Sequence, residues 1–450
     1  MASLTKSNLP RFTTDIYQNE YLAEGSREVN AIVTVTATGG GTTGGRPLSA
    51  PDTTAGSGAD AAVVLMVDCS GSMDHPSSIK MRSAREATAA AIDIIRDGVA
   101  FAVVAGTHEA TEVYPADGTL AVASPATREA AKVALRRLKA SGGTAMSTWL
   151  AKAEALFLTR RDIGIRHGIL LTDGRNEHEE PATLQKVLDR VSGHFTVDCR
   201  GVGTDWEVAE LRRISSALLG TLDIVAQPAD LAEDFRTMMA TAMGKQVADV
   251  ALRVWTPANA VVRFVKLVAP VLEDLTERRT EAAPRAGDYP TGSWGDESRD
   301  YHVCVEVPAA AVGNEMLAAR ISLVVPQDDG TAEVLTQGLV KAVWTDDLAS
   351  STRIVPEVAH YTGQAELAEA IQTGLEALRA GDEDLATSKL GAAVRLAHAS
   401  GNEGTFRLLQ KVVDVVDAEE GTVRFRKNVS AEDSHTLDTA STKTKRITKK

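Results

Sequence analysis

The hydrophobic pattern along the chain changes three times. From Ala61 to Met243, short runs of consecutive apolar residues alternate with segments whose apolar residues recur every three or four positions. The runs predict strands that are buried on both faces, and the segments predict amphipathic helices. We therefore expect an α/β unit with a doubly wound, mostly parallel sheet. The predicted strands are 61–68, 99–106, 109–114, 165–172, 195–202 and 221–226, and the predicted helices are 78–96, 127–139, 146–160, 181–192, 206–218 and 228–243.

Apolar and polar residues alternate at period two on both sides of this unit. After Gly244 several short segments follow this pattern, and the residues between Glu273 and Asp300 are polar and turn-rich. Such segments are typical of an antiparallel β-sandwich. The strands predicted there are 246–256, 259–268, 300–308, 315–325 and 333–345. Residues 28–38 alternate in the same way, so we expect the α/β unit to be inserted between the first and second strands of the sandwich.

The C-terminal region is helical again, with predicted helices at 364–380, 383–400 and 403–417 joined by short loops. Such helices form an antiparallel hairpin or a small bundle. A Gly-, Thr-, Ser- and Pro-rich stretch predicts a flexible linker, and the polar C-terminus predicts disorder. The predicted domains are 1–38 (N-terminal segment with a sandwich strand), 39–60 (linker), 61–244 (α/β unit), 245–347 (β-sandwich), 360–420 (helical domain) and 428–450 (disordered tail).

Composition narrows the class of protein. The 450 residues are 44% hydrophobic and 24% charged, which describes a globular protein of two or three domains. A net charge of −13 disfavours nucleic acid as the main partner. We expect no membrane span, because no apolar run reaches about 18 residues. The N-terminus lacks the apolar region of a secretory signal and the three cysteines are widely spaced, so we expect a cytoplasmic protein.

Oxygen-bearing side chains follow two of the predicted central strands. Asp68, Ser70 and Ser72 lie at and just past the end of the first strand, and Asp173 directly follows the strand 165–172. Thr144 lies in a glycine-rich loop before a helix. Sites in open α/β sheets form beyond the carboxyl ends of the strands, so these side chains are expected to meet there. Carboxylate and hydroxyl oxygens suit Mg²⁺ or Mn²⁺ better than zinc.

The order of these motifs resembles the von Willebrand factor type A domain. The Asp-Xaa-Ser-Xaa-Ser motif, the Gly-Gly-Thr loop and the strand that ends Leu-Thr-Asp-Gly occur in that order within about 61–243. In that family such residues form a metal-ion-dependent adhesion site, which would here consist of Asp68, Ser70, Ser72, Thr144 and Asp173. The resemblance implies a non-catalytic scaffold module that binds a protein partner through a divalent ion and an acidic residue of that partner.

Two other functions fit parts of the sequence. Asp68 could be the nucleophile of a Mg²⁺-dependent phosphohydrolase, although the second Asp of the haloacid-dehalogenase pattern is replaced by Ser70. The tail contains several threonines, and Thr444 with its neighbours resembles the motif that forkhead-associated domains read when it is phosphorylated. Threonine phosphorylation would then regulate a scaffold through a phosphopeptide-reading partner.

Overall fold

A computed structural model describes residues 10–39, 61–74, 79–327, 331–426 and 429–446. Nearly all of the predicted linker therefore lies outside the described residues. The chain forms two compact units. The first contains the described residues of Gly40–Ala248 together with Gly292–Gly295, and the second contains those of Pro10–Gly39, Asp249–Thr291 and Asp296–Lys450.

Three strands precede the α/β region within the described residues 10–39, so the predicted insertion after the first sandwich strand is wrong in its position. They are β1 (Arg11–Gln18), β2 (Tyr21–Ala23) and β3 (Glu28–Thr38). The sequence signal was clear only for β3, which is rich in β-branched residues and whose interior is almost fully buried.

The α/β region has the predicted alternation of strands and helices. Its strands are β4 (Ala61–Asp68), β5 (Ala100–Gly106), β6 (Thr111–Tyr114), β7 (Ala121–Val122), β8 (Ile165–Thr172), β9 (Thr196–Val202) and β10 (Leu222–Val225). Its α-helices are α1 (Ile79–Ile94), α2 (Pro125–Leu135), α3 (Met146–Leu158), α4 (Pro181–Val191), α5 (Val208–Ala217) and α6 (Leu231–Met243). A short 3₁₀ helix, Gly71–Asp74, follows β4.

The sheet of this unit has the order β10-β9-β8-β4-β5-β6, with β7 also paired to β5. All pairs are parallel except those of β6 and β7 with β5. Successive side chains of β4 enter two different cores: Val64 and Met66 pack on one face, and Leu65 and Val67 pack on the other. A strand with helices on both faces needs an unbroken apolar run, which explains the sequence of β4. The predicted doubly wound fold is confirmed.

The sandwich strands that follow are β11 (Val247–Trp255), β12 (Val261–Ala269), β13 (Glu273–Asp274), β14 (Thr280–Ala283), β15 (Ala286–Trp294), β16 (Glu297–Glu306), β17 (Glu315–Pro326) and β18 (Ala332–Thr345). One sheet has the order β1-β3-β16-β12-β13, and the other has the order β14-β15-β11-β17-β18-β2. The composition of residues 273–300 suggested mainly turns, but the structure also places strands there. Strand β15 includes glycines and polar residues that weaken its hydrophobic period, yet Tyr289 and Trp294 are fully buried.

The C-terminal region contains α7 (Leu348–Ser351), α8 (Pro356–Ala380), α9 (Glu383–Ala399) and α10 (Glu403–Val412). A hairpin of β19 (Val413–Asp417) and β20 (Thr422–Phe425) and then α11 (Ala431–Ser441) follow. The predicted helix 403–417 therefore ends five residues early. No helix in the described part of the chain has the length and apolarity to cross a membrane.

The predicted disordered tail is wrong for the described residues 429–446. Leu437 of α11 is fully buried in the core formed by α8, α9 and α10. Asp438 accepts a hydrogen bond from Arg379 at 2.6 Å. One buried leucine and a few ion pairs give little signal in the composition, which is why the sequence pattern missed this helix.

Candidate functional site

Asp68 ends the central strand β4 and is fully buried. Its Oδ1 accepts the backbone N–H of Ser70 at 2.7 Å, and its Oδ2 accepts the hydroxyl of Thr172 at 2.5 Å. Burial raises the pKa of Asp68 to about 6, against the opposing effect of these hydrogen bonds. The carboxylate is thus fixed in orientation by one donor from the loop that follows β4 and one from the neighbouring strand β8.

Ser70 and Ser72 link this loop to the end of β8. Their hydroxyl oxygens lie 2.9 Å apart, and the hydroxyl of Ser72 donates to Oδ1 of Asp173 at 2.7 Å. Asp173 is fully buried directly after β8. The register between β4 and β8 pairs Val67 with Leu171, so the carboxyl ends of both strands lie at one edge of the sheet.

The glycine-rich loop is tied to the loop after β4 by backbone hydrogen bonds. The N–H of Gly71 donates to the carbonyl of Gly142 at 2.9 Å. The N–H of Ser141 donates to the carbonyl of Cys69 at 2.7 Å. Gly142 has φ +80°, which a residue with a side chain rarely adopts. These contacts place Thr144, which is buried, beside the serine loop.

Three hydroxyl groups lie close to the position that a side chain at Gly174 would occupy. A Cβ at this glycine would lie 3.2 Å from Oγ of Ser72, 3.6 Å from Oγ1 of Thr144 and 3.9 Å from Oγ of Ser70. The absence of a side chain at 174 therefore leaves a small cradle lined by oxygen. The structure brings together all five residues that the sequence singled out.

Lys80 adds a positive charge to this cluster. Its Nζ lies 2.7 Å from Oδ2 of Asp173 and 3.1 Å from Oδ2 of Asp205. Burial alone would lower the pKa of Lys80, but the hydrogen bonds and charges of the two carboxylates raise it above its usual value. The sequence analysis missed this residue. A possible signal was a lysine in the first turn of a helix, where the helix dipole disfavours a cation.

The loop after Asp173 supports the glycine-rich loop and was also missed. His178 accepts the N–H of Thr144 through Nδ1 at 3.1 Å. Asn176 and Glu179 accept the N–H groups of Met146 and Ser147, at 2.8 and 3.0 Å. These contacts satisfy the first amides of α3, where the N-cap residue Ala145 offers no side-chain acceptor.

The donor set fits a hard divalent cation. Two carboxylates and three hydroxyls supply only oxygen, which Mg²⁺ and Mn²⁺ prefer. Within the residues that the structure describes, no group of three or more His, Cys, Asp or Glu side chains is placed to hold a metal ion. The site therefore combines two carboxylates with three hydroxyl groups.

Comparisons with known proteins identify the family of this fold. A model of the von Willebrand factor type A domain matches residues 61–224, and a model of the von Willebrand factor type A C-terminal domain matches 395–441. A solved von Willebrand factor type A protein from Catenulispora acidiphila is 50% identical and covers 98% of this chain and 99% of its own, with a TM-score of 0.90. The chain belongs to the von Willebrand factor type A family. The resemblance inferred from the sequence motifs is confirmed.

A more distant solved structure supports the fold, and a curated relative matches part of the sequence. The ArnB paralog VWA2 from Sulfolobus acidocaldarius is 13% identical, covers 96% of this chain and all of its own, and has a TM-score of 0.53. A protein of Synechocystis sp. described as uncharacterized is 28% identical over 235 residues. That match spans 50% of this chain and 53% of the relative, so the chain covers about half the length of this curated relative.

Proposed function

We propose that the von Willebrand factor type A domain of this protein is a non-catalytic, metal-dependent module that binds other proteins in a cytoplasmic complex. Its metal-ion-dependent adhesion site would consist of Asp68, Ser70, Ser72, Thr144 and Asp173, and would hold Mg²⁺ or Mn²⁺. The main support is the convergence of three hydroxyl oxygens above Gly174.

The residues of the site have distinct tasks in this proposal. Ser70, Ser72 and Thr144 present hydroxyl oxygens to the cradle. Asp68 and Asp173 supply negative charge. They also accept the hydrogen bonds that orient Ser70 and Ser72. When bound, the ion would offer a coordination position to a carboxylate of the partner.

The phosphohydrolase alternative has less support. A nucleophilic carboxylate must reach a substrate, but Asp68 is fully buried and each of its oxygens already accepts a hydrogen bond. The tail alternative also weakens, because the hydroxyl of Thr444 donates to the carbonyl of Val268 at 2.5 Å. A kinase or a phosphopeptide reader would first have to detach this segment.

A capture experiment tests the proposed function. Tagged protein is incubated with cell lysate in Mg²⁺ or in chelator, and bound proteins are identified by mass spectrometry. We expect partners that are recovered only with Mg²⁺ and are lost in Asp68→Ala. Asp162→Ala is the control, since Asp162 is an exposed acid of the same unit that pairs with Arg160. Equal recovery with and without chelator would contradict the proposal.

A further inference from the structure

The two carboxylate oxygens of Asp173 have different hydrogen-bond partners, and one of these partners is Lys80. Oδ1 accepts the hydroxyl of Ser72 at 2.7 Å, on the side of the hydroxyl cradle. Oδ2 accepts the ammonium group of Lys80 at 2.7 Å. The lysine side chain is 13% exposed and that of Asp173 is fully buried. A buried carboxylate beside a cation site is thus already paired with a cation that belongs to the protein.

The position of Lys80 has an electrostatic cost. It is the second residue of α1, where the positive end of the helix dipole opposes a cation. Partial burial also disfavours its charge. The contacts with Asp173 and Asp205 offset both effects. Since Asp205 is 69% exposed and screened by water, Asp173 is the principal partner.

The charges of the site suggest what Lys80 does. Asp68 and Asp173 together carry two negative charges when ionised, and Lys80 reduces their sum to −1. A divalent ion then raises the sum to +1, and one carboxylate from a partner restores neutrality. Without Lys80 the ion alone would neutralise the site, and a partner's carboxylate would leave it negative.

We propose that Lys80 is a built-in counter-ion that weakens the binding of the divalent ion and strengthens the binding of a carboxylate to the loaded site. This inference rests on the proposed function, because it assumes an ion among the five residues. Lys80 would therefore favour an acidic partner over water or a neutral ligand. It touches neither the cradle hydroxyls nor Asp68 in the contacts described, so it would act through charge and through Asp173.

Titration calorimetry with Mn²⁺ tests the first half of the proposal. Lys80→Gln keeps a hydrogen-bond donor for Asp173 but removes the charge, and we expect it to bind Mn²⁺ about tenfold more tightly. Lys80→Arg keeps the charge and should stay near the wild-type affinity. Lys132→Gln is the matched control, because Lys132 pairs with two acids, Asp93 and Glu129, in the same unit.

Acetate tests the second half. Its binding to Mn²⁺-loaded protein is followed by water-proton relaxation, which falls when a carboxylate displaces water from the ion. We expect weaker acetate binding in Lys80→Gln than in the wild type and in Lys132→Gln. If the melting curve shows that Lys80→Gln does not fold, Asp205→Asn replaces it. This substitution removes the exposed second carboxylate that pairs with Lys80. The lysine charge then acts more strongly on Asp173, so Mn²⁺ should bind more weakly.

The outcomes separate the inference from the proposed function. Equal Mn²⁺ affinity in the wild type and Lys80→Gln would overturn the role of Lys80 and leave the ion site intact. Unchanged acetate binding would overturn the preference for an acidic ligand. Absence of Mn²⁺ binding in the wild type and in all variants would overturn both the inference and the ion site.

Discussion

Asp300 and Arg446 form a two-pronged ion pair across 146 positions of the chain. Both guanidinium contacts, from Nε and Nη2, measure 2.9 Å. Asp300 is almost completely buried in β16 and also accepts hydrogen bonds from the hydroxyls of Thr34 and Tyr361. A buried carboxylate needs such partners, because leaving it unpaired costs more than the pair itself contributes. The pair therefore holds the C-terminal segment on the second unit.

We predict that Arg446→Ala loosens this segment and destabilises the second unit by about 1–2 kcal/mol, a value reduced for the partial exposure of Arg446. Hydrogen exchange is the sharpest measurement. The amides of Leu272 and Thr444 donate to the carbonyls of Thr442 and Pro270, so both should exchange faster in the variant.

Arg407→Ala is the control for this change. Arg407 pairs with Glu403 on α10, and both side chains are largely exposed, so its loss should change stability by less than about 0.5 kcal/mol. Unchanged exchange at Leu272 and Thr444 in Arg446→Ala would show that the ion pair does not hold the segment.

This ion pair also shows what the sequence could and could not predict. The limits of β4 and β8 agree with the prediction because an apolar run ends at a polar residue in each. Residues 429–446 contact groups far away in the chain, Asp300 among them, and local composition contains no trace of such contacts. The spacing of apolar residues shows which face of a segment is buried. A single ion pair between distant residues produces no repeating pattern in the sequence.

The candidate site follows the same rule. Its five oxygen-bearing residues were predictable because each follows a strand or lies in a glycine-rich loop at the same edge of the sheet. Thr172 and Lys80 were not predicted. Thr172 donates a hydrogen bond to Asp68, which is 104 positions away, and Lys80 donates one to Asp173, which is 93 positions away. Only the folded structure reveals these contacts.

We predict that Gly174→Ala prevents ion binding without unfolding the protein. The new methyl group would lie 3.2 Å from Oγ of Ser72 and within 4 Å of the other two cradle hydroxyls, in the space that an ion would need. We expect Mn²⁺ affinity, measured by calorimetry, to fall more than about tenfold, while stability changes by about 1 kcal/mol.

The matched control is Gly164→Ala, in the same unit. A Cβ there would meet only Ala248 within 4 Å, at an ordinary 3.5 Å, so neither stability nor Mn²⁺ affinity should change. Wild-type affinity in Gly174→Ala would mean that the ion does not lie among these hydroxyls.

His302 provides a prediction about pH. It lies in β16, is 7% exposed, and contacts Oδ1 of Asn30 through Nε2 at 3.0 Å. Burial, with a smaller effect of Lys266, lowers the pKa of His302 to about 4. In the unfolded chain a histidine has a pKa of about 6.5, so between these values the unfolded state binds the proton and the folded state does not.

The contribution of His302 to stability should therefore be complete above about pH 6.5 and be lost progressively as the pH falls towards 4. The loss amounts to about 3 kcal/mol for a shift of this size. Urea unfolding at pH 7.5 and pH 4.5 measures it: His302→Gln, which keeps a donor for Asn30 but does not titrate, should lose clearly less stability between the two values than the wild type. The exposed His398→Gln should behave like the wild type. An equal loss in His302→Gln would mean that this histidine does not determine the acid sensitivity of the second unit.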